Sequence, residues 1–359
     1  NLITLFFFYE ALTLSTFPLV AHKGDAKARK GAGIYLGILL ATSIGLLLPA
    51  VFAVWHFAGT TDFEAGGILA GTMGVGAASV LLVMFAFGIG KAALMPIHPW
   101  LPNAMVAPTP VSALLHAVAV VKAGVFTMLK VSTYTFGPEF MRSLPAADVL
   151  AWIAAVSIVL ASVIAMTKDN LKARLAYSTV SQLSYVTLGA MLATPAALMG
   201  AALQIVMHAY GKITLFMTAG AIYTGTKKAE ISQLDGLGRL MPWTFAAFGL
   251  GALSIIGLPP FGGLWPKLFL MEGSAEGGQP WLIAALVASS LLNIGYLLPI
   301  FLRGVLRPEP QPNPMKPGKP PLLAVLPPVI TGIGALALFF LIGPLFDYLA
   351  PVFMTEPAP

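Results

Sequence analysis

The chain has 359 residues, of which 58% are hydrophobic and only 9% charged, and its mean hydropathy is +0.87. A soluble domain carries about 25% charged residues, so a string of soluble domains is excluded and a polytopic membrane protein is indicated. The lack of cysteine removes disulfides, thiolate nucleophiles, haem-attachment motifs and cysteine-ligated iron–sulfur clusters. Five scattered histidines make no metal-binding pattern, and no cofactor is expected. The net charge of +6 is no nucleic-acid footprint until the placement of lysine and arginine is known. Asn1 enters an apolar run at once, without a basic leader, as a helix does when another precedes it.

A helix crossing a bilayer needs about 20 mostly apolar residues. Charged or Pro/Gly-rich breaks divide the chain into ten such stretches, near 1–20, 32–57, 66–97, 110–134, 148–167, 171–192, 195–224, 241–258, 281–304 and 322–348. Two shorter apolar pieces, near 98–106 and 260–272, follow proline-bearing stretches. Helices satisfy every backbone group within hydrocarbon. Long continuous runs such as AWIAAVSIVLASVIAM are unlike the alternating ten-residue segments of a β-barrel.

The loops carry a strong charge bias. Those after the first, third, fifth, seventh and ninth segments hold fourteen lysines and arginines, among them Lys27, Lys168, Lys228 and Arg307. The opposite loops hold Arg142 alone, with Asp62, Glu64, Glu139, Asp148, Glu272 and Glu276. Positive charge marks the cytoplasmic side. The expected topology is therefore a multi-pass protein of the cell (inner) membrane, with basic loops in the cytoplasm and both ends outside.

Five lysines remain within segments: Lys91, Lys122, Lys130, Lys212 and Lys267. Glu10, His116 and His208 lie there too. Each charge near the bilayer centre costs about 2.5–3.5 kcal/mol on insertion scales. Lys130 is near a helix end and is expected to snorkel; Lys267 could be a similar anchor. Lys122 and Lys212 have apolar flanks on both sides. His208 and Lys212, four apart, share a helix face, whereas His116 and Lys122 lie about 120° apart around theirs. An amine withdrawn from water can take and release a proton near neutrality, so these groups suit proton transfer. Hydroxyls such as those of Ser112, Tyr177, Ser178 and Ser181 could bridge steps, but none is singled out.

Prolines interrupt two helices next to lysines. MPIHPWLPNAMVAPTP places Pro96, Pro99 and Pro102 just after Lys91, and IIGLPPFGGLWPK places Pro259, Pro260 and Pro266 just before Lys267. Broken helices at matching places in two halves point to an ion pathway built from repeats. A spacing of five segments gives the repeats opposite orientation.

The segment KAALMPIHPWLPNAMVAPTPVSALLHAVAVVKAGVF closely resembles the signature of the antiporter-like subunits of respiratory complex I, of Mrp-type sodium/proton antiporters and of membrane-bound hydrogenases. LKARLAYSTVSQLSY, HAYGKITLFMTAGAIY and GALSIIGLPPFGGLWPK resemble later family motifs in the same order. The resemblance covers essentially the whole chain and identifies its ten segments with helices five to fourteen of the usual fourteen. It implies an all-α fold of two inverted five-helix repeats: a first half-channel over 1–134 that lacks its start, a second over 135–304, and a last helix with its tail over 305–359.

By motif position the resemblance implies a proton relay of Glu10, Lys91, His116, Lys122, His208, Lys212 and Lys267. Glu10 and Lys91 match the electrostatic pair of the first half-channel. His116 and Lys122 match the groups connecting the halves, a combination more typical of the Mrp-type large subunit. His208 and Lys212 match the central groups of the second half, and Lys267 the terminal site. No long lateral helix follows the last segment, unlike the most distal complex I subunit. The expected function is proton translocation within a larger complex, without redox or hydrolytic chemistry of its own, as in an NADH:quinone oxidoreductase-like translocase. Alternatives are Mrp-type cation/proton exchange and a coupling subunit supplying proton flux to a soluble hydrogenase or inorganic-carbon-uptake partner. Expected partners are other membrane subunits, a soluble subunit in the last case, and lipids, but no nucleic acid.

Overall fold

A computed structural model describes residues 1–308 and 320–354. Lys316, Lys319 and part of the expected 305–359 region lie outside the described residues. The chain is an all-α multi-pass membrane protein, and the described residues contain no strand beyond an isolated bridge between Asn170 and Glu230. Its main helices are α1 (Leu2–Val20), α2 (Ala26–Ala58), α3 (Val75–Gly88), α4 (Thr109–Phe136), α5 (Pro145–Thr167), α6 (Leu171–Leu192), α7 (Pro195–Thr226), α8 (Pro242–Ile256), α9 (Leu264–Glu276), α10 (Trp281–Leu306), α11 (Leu322–Phe340) and α12 (Ile342–Phe353).

Seven of these are long and apolar enough to cross a membrane: α1, α2, α4, α5, α7, α10 and α11. α6 spans 22 residues but is diluted by serine, threonine and glutamine. It is buried from Ser178 through Leu192 between α5 and α7, so its polar side chains never meet lipid. α7, at 32 residues, packs against α6, α8, α9 and α11.

Two expected segments are shorter as helices than their apolar runs. The third is helical only over Val75–Gly88: Gly66, Gly67 and Gly71 take positive φ before it, and Pro96, Pro99 and Pro102 keep the chain beyond it from resuming a long helix. A single 3₁₀ turn, Gly90–Ala92, and two short turns over 100–106 carry the chain back to α4. The last expected segment, 322–348, divides at Leu341, and α12 folds Phe346 and Leu349 back toward Met199 and Leu203 of α7.

α2 and α4 each contain π turns, Ser43–Leu47 in α2 and Leu114–Val118 and Ser132–Phe136 in α4. Such turns concentrate at functional positions.

Loop contacts place the basic loops at one end of the bundle. Asn170 donates to Glu230 at 3.0 Å and Ser232 to Asp169 at 2.6 Å, while Arg303 pairs with Asp235 at 2.7 Å. Lys172 donates to the carbonyls of Met105 and Ala107, each at 2.8 Å. At the other end Gln279 meets Asp148, and Arg142 donates to the Ala193 carbonyl. Lys130 is partly exposed there, its ammonium 3.8 Å from the Tyr134 ring centroid.

Candidate functional site

The first of the buried ionisable groups sits at the first helix break. Lys91 is the middle residue of the 3₁₀ turn after α3 and is completely buried. Its backbone N–H donates to the Tyr9 hydroxyl at 3.0 Å. Its ammonium donates to the Tyr9 carbonyl and lies 3.3 Å from the centroid of the Tyr9 ring. Glycine permits this seat, because a Cβ at Gly124 of α4 would run into the backbone of Lys91 and Ala92. Trp100 braces the turn from the other side, its indole N–H donating to the Gly90 carbonyl at 2.8 Å.

Glu10 follows Tyr9 on α1 and lies within electrostatic range of Lys91, beside Ser43 in the π turn of α2. The two charged groups do not touch as an ion pair. Both carboxylate oxygens are shut off from solvent and accept no hydrogen bond among the described residues. Lys91 is thus held by a carbonyl and a ring, with the Glu10 carboxyl nearby but not in contact with it.

The next groups sit at the centre. His116 occupies the π turn of α4, stacked between Trp100 and Phe216 with ring centroids 6.4 and 5.5 Å away. Neither ring nitrogen has a hydrogen-bond partner among the described residues. Lys122, two turns on, points across to α7, and its ammonium is 2.6 Å from Nδ1 of His208. The other ring nitrogen of His208 is unpartnered. His208 also lines a narrow void together with Gln182, Gln204, Ser254 and Gly263. Gln204 donates its amide to Gln182 at 2.8 Å within that void.

Lys212 shares a face of α7 with His208, as the four-residue spacing requires, but its ammonium turns toward α6. It donates to Ser178 Oγ at 2.5 Å and to the Leu175 carbonyl at 3.4 Å. Ser178 is 2.7 Å from the Tyr296 hydroxyl, which in turn donates to Asn293 of α10. One turn further along α10, Ser289 joins Ser162 and Ser181 in a hydroxyl cluster at 3.0–3.3 Å. The adjacent Ser290 accepts from Lys267 at 2.9 Å.

Lys267 lies in the first turn of α9, immediately after the second break. Its ammonium also reaches the carbonyls of Ile255 at 3.2 Å and Ile256 at 2.5 Å. These carbonyls close α8, where the helix has lost its next turn and the dipole favours a cation. Gly263 lets α9 approach this point, since a Cβ there would collide with the Ser254 carbonyl. Lys267 is buried, so it is no interfacial anchor.

All seven expected groups therefore lie inside the bundle, but their pairing differs from the spacing-based expectation. His208 pairs with Lys122, and Lys212 instead heads a hydroxyl chain toward α10. Tyr296 and Asn293 were not singled out in the sequence. The signal was present as Ser289, Asn293 and Tyr296, spaced four and three residues along one face of an apolar helix. Gln182 and Gln204, two amides in otherwise apolar or small-residue runs, were equally legible. Lys172, expected as a loop cation, belongs to the first turn of α6 and is anchored inward on carbonyls.

The family model of the transmembrane region of NADH:quinone oxidoreductases and Mrp antiporters matches residues 1–293. NADH-quinone oxidoreductase subunit N of Desulforudis audaxviator is 33% identical over 353 residues, covering 94% of this chain and 70% of that protein. NAD(P)H-quinone oxidoreductase chain 5 of a Picosynechococcus is 32% identical over 320 residues. The chain spans only about half of that relative's length, 47%. Among solved structures, a chain of the Mrp complex from Dietzia sp. superposes with a TM-score of 0.85 at 23% identity, covering 98% of this chain and 73% of that one. A chain of respiratory complex I from Thermus thermophilus gives 0.83 at 23% identity, covering 97% and 73%. Together the match over residues 1–293 and the identity to subunit N place this chain in the NADH:quinone oxidoreductase/Mrp antiporter transmembrane family.

Proposed function

We propose that this chain moves protons across the membrane as an antiporter-like subunit of a larger membrane complex, by way of Glu10, Lys91, His116, Lys122, His208, Lys212 and Lys267. One observation carries the proposal. The four buried lysines of this set are held by carbonyls, a hydroxyl, a ring or an imidazole, and among the described residues none is in contact with a carboxylate. A proton can then be added or removed without breaking an ion pair. A merely structural charge at this depth would be expected to carry a neutralising partner.

In this scheme residues 1–134 supply the first half-channel and 135–304 the second. The Lys122–His208 contact carries the proton between them, because it joins α4 to α7. Glu10 biases Lys91 electrostatically. Lys212 exchanges with the Ser178–Tyr296–Asn293 chain, and Lys267 forms the terminal site at the second break. The basic loops face the cytoplasm, and residues 1 and 354 lie toward the other side. Other membrane subunits complete the complex, as they do in the assemblies named for the structural neighbours.

Lys212→Arg tests the mechanism, because a guanidinium keeps its charge but does not release its proton. Proton flux through reconstituted vesicles should fall at least tenfold while the complex still assembles. Flux equal to the parent would make Lys212 a fixed charge and remove it from the relay. Sidedness is tested separately with single cysteines, introduced at Lys27 or Lys228 of this cysteine-free chain and probed in intact cells with an impermeant thiol reagent. Protection from the reagent is expected, and labelling from outside would reverse the orientation.

A further inference from the structure

A cavity of about 1320 Å³ is lined by none of the seven buried ionisable groups. It opens at the end of the bundle that carries the basic loops and runs inward between α4, α7 and α11. Its rim carries five lysines, Lys23, Lys27, Lys30, Lys172 and Lys228. The charges of Lys23 and Lys27 act on the Lys172 ammonium, so part of this cluster is close enough to repel itself.

The two acids on the rim are already engaged. Asp25 caps α2 by accepting the Ala28 N–H at 2.6 Å, and Glu230 accepts from Asn170. Among the described residues the only ion pairs are those of Asp235, so no acid neutralises any of the five lysines. Lys172 is held by carbonyls and a more distant hydroxyl, whereas the other four extend from the rim. The interior wall is apolar instead, built from Leu114, Val118, Ile213, Met217, Leu323 and Pro327.

We propose that this cleft binds one anionic phospholipid, with its phosphate among the rim lysines and its acyl chains along α4 and α11. Only an amphiphile with a negative head matches both halves of the site. A free anion would leave the apolar wall unused, and a zwitterionic lipid would leave the lysine cluster unneutralised. The cleft also exceeds the roughly 300–1,000 Å³ of ordinary small-molecule pockets. Basic pockets between transmembrane helices are a recognised setting for acidic lipid headgroups.

The test uses the chain purified within its native membrane assembly, stripped of lipid by detergent. Dioleoyl-phosphatidylglycerol or dioleoyl-phosphatidylcholine is then added back, and native mass spectrometry counts bound lipid. One phosphatidylglycerol should be retained at concentrations where phosphatidylcholine is not. The triple variant Lys27→Gln, Lys30→Gln, Lys228→Gln should weaken retention on the order of 100-fold, about fivefold for each charge. Leu323→Trp keeps every charge but fills the apolar wall, and should weaken phosphatidylglycerol as well. Equal retention of the two lipids, or no effect of the triple variant, overturns the proposal. So does displacement of phosphatidylglycerol by millimolar inorganic phosphate together with no effect of Leu323→Trp, which would mark a bare anion site. A photo-crosslinker at a cysteine replacing Ala324 should capture lipid, and capture of a neighbouring subunit in its place overturns the assignment.

Discussion

The contact between Lys122 and His208 joins residues 86 positions apart and can be broken from either side. Lys122 is 8% exposed and His208 2%, and the imidazole is the sole hydrogen-bond partner of the Lys122 ammonium among the described residues. Replacing His208 with leucine leaves a buried amine with no acceptor. The desolvation cost of such an orphan is about 1–3 kcal/mol. Hydrogen bonds between transmembrane helices are worth less than that range suggests, about 0.6 kcal/mol on average and at most about 1.7, because the unfolded chain in a membrane also finds partners. The short 2.6 Å separation and near-complete burial argue for the upper part of that range.

We therefore expect His208→Leu and Lys122→Leu each to destabilise the chain. The double variant should recover part of the loss, because removing both partners leaves no orphan. The coupling energy should be about 1–1.5 kcal/mol, read from denaturation of the purified chain in mixed detergent. The same cycle run on His208 and Lys212 should give a smaller value, since Lys212 spends its hydrogen bonds on Ser178 and Leu175. Proton flux should fall in both single variants and stay low in the double, which restores packing but no proton carrier. A coupling below about 0.3 kcal/mol for His208 and Lys122, under the resolution of such cycles, or a larger one for His208 and Lys212, would refute the cross-helix pairing.

Two other predictions concern stability. Gly124→Ala should destabilise by about 1–3 kcal/mol, because the new methyl meets the Lys91–Ala92 backbone. Alanine would otherwise stabilise a helix by nearly 1 kcal/mol, so a variant as stable as the parent in thermal unfolding would show that the close approach is absent. Asp235 lies in a loop outside the membrane, where hydrogen bonds from Arg303 hold its carboxyl below the usual carboxylate range. That stabilisation is present at neutral pH and is lost as pH falls through the depressed value. Asp235→Asn should lower stability at pH 7 by about 0.2–1 kcal/mol, with the gap to the parent closing once the pH is below the depressed carboxyl value. A gap of equal size above and below that value would contradict this.

Charge placement along the chain carried much of the topology. Fourteen basic residues in alternate loops predict that those loops share one end, and the contacts of Asp169 with Ser232 and of Asp235 with Arg303 bring three of them together. Lys267 was legible for a local reason. The stretch LPPFGGLWPK ends one helix and starts another within a few residues, so freed carbonyls and the lysine that meets them are neighbours in sequence. Glu10 and Lys91, 81 residues apart, were linked beforehand only through family resemblance.

Hydropathy and proline placement by themselves determined the helical membrane class and most helix positions, because each depends on a run of adjacent residues meeting lipid or losing a backbone hydrogen bond. The tertiary structure decided which buried groups touch. The spacing of His208 and Lys212 fixes a shared face of α7 but not its neighbours, and packing put α4 beside one residue and α6 beside the other. The same holds for α6, whose serines and glutamine look costly in a membrane until α5 and α7 enclose them. A side chain's partner is set by the approach of a second helix, and that approach is decided by the packing of the whole bundle.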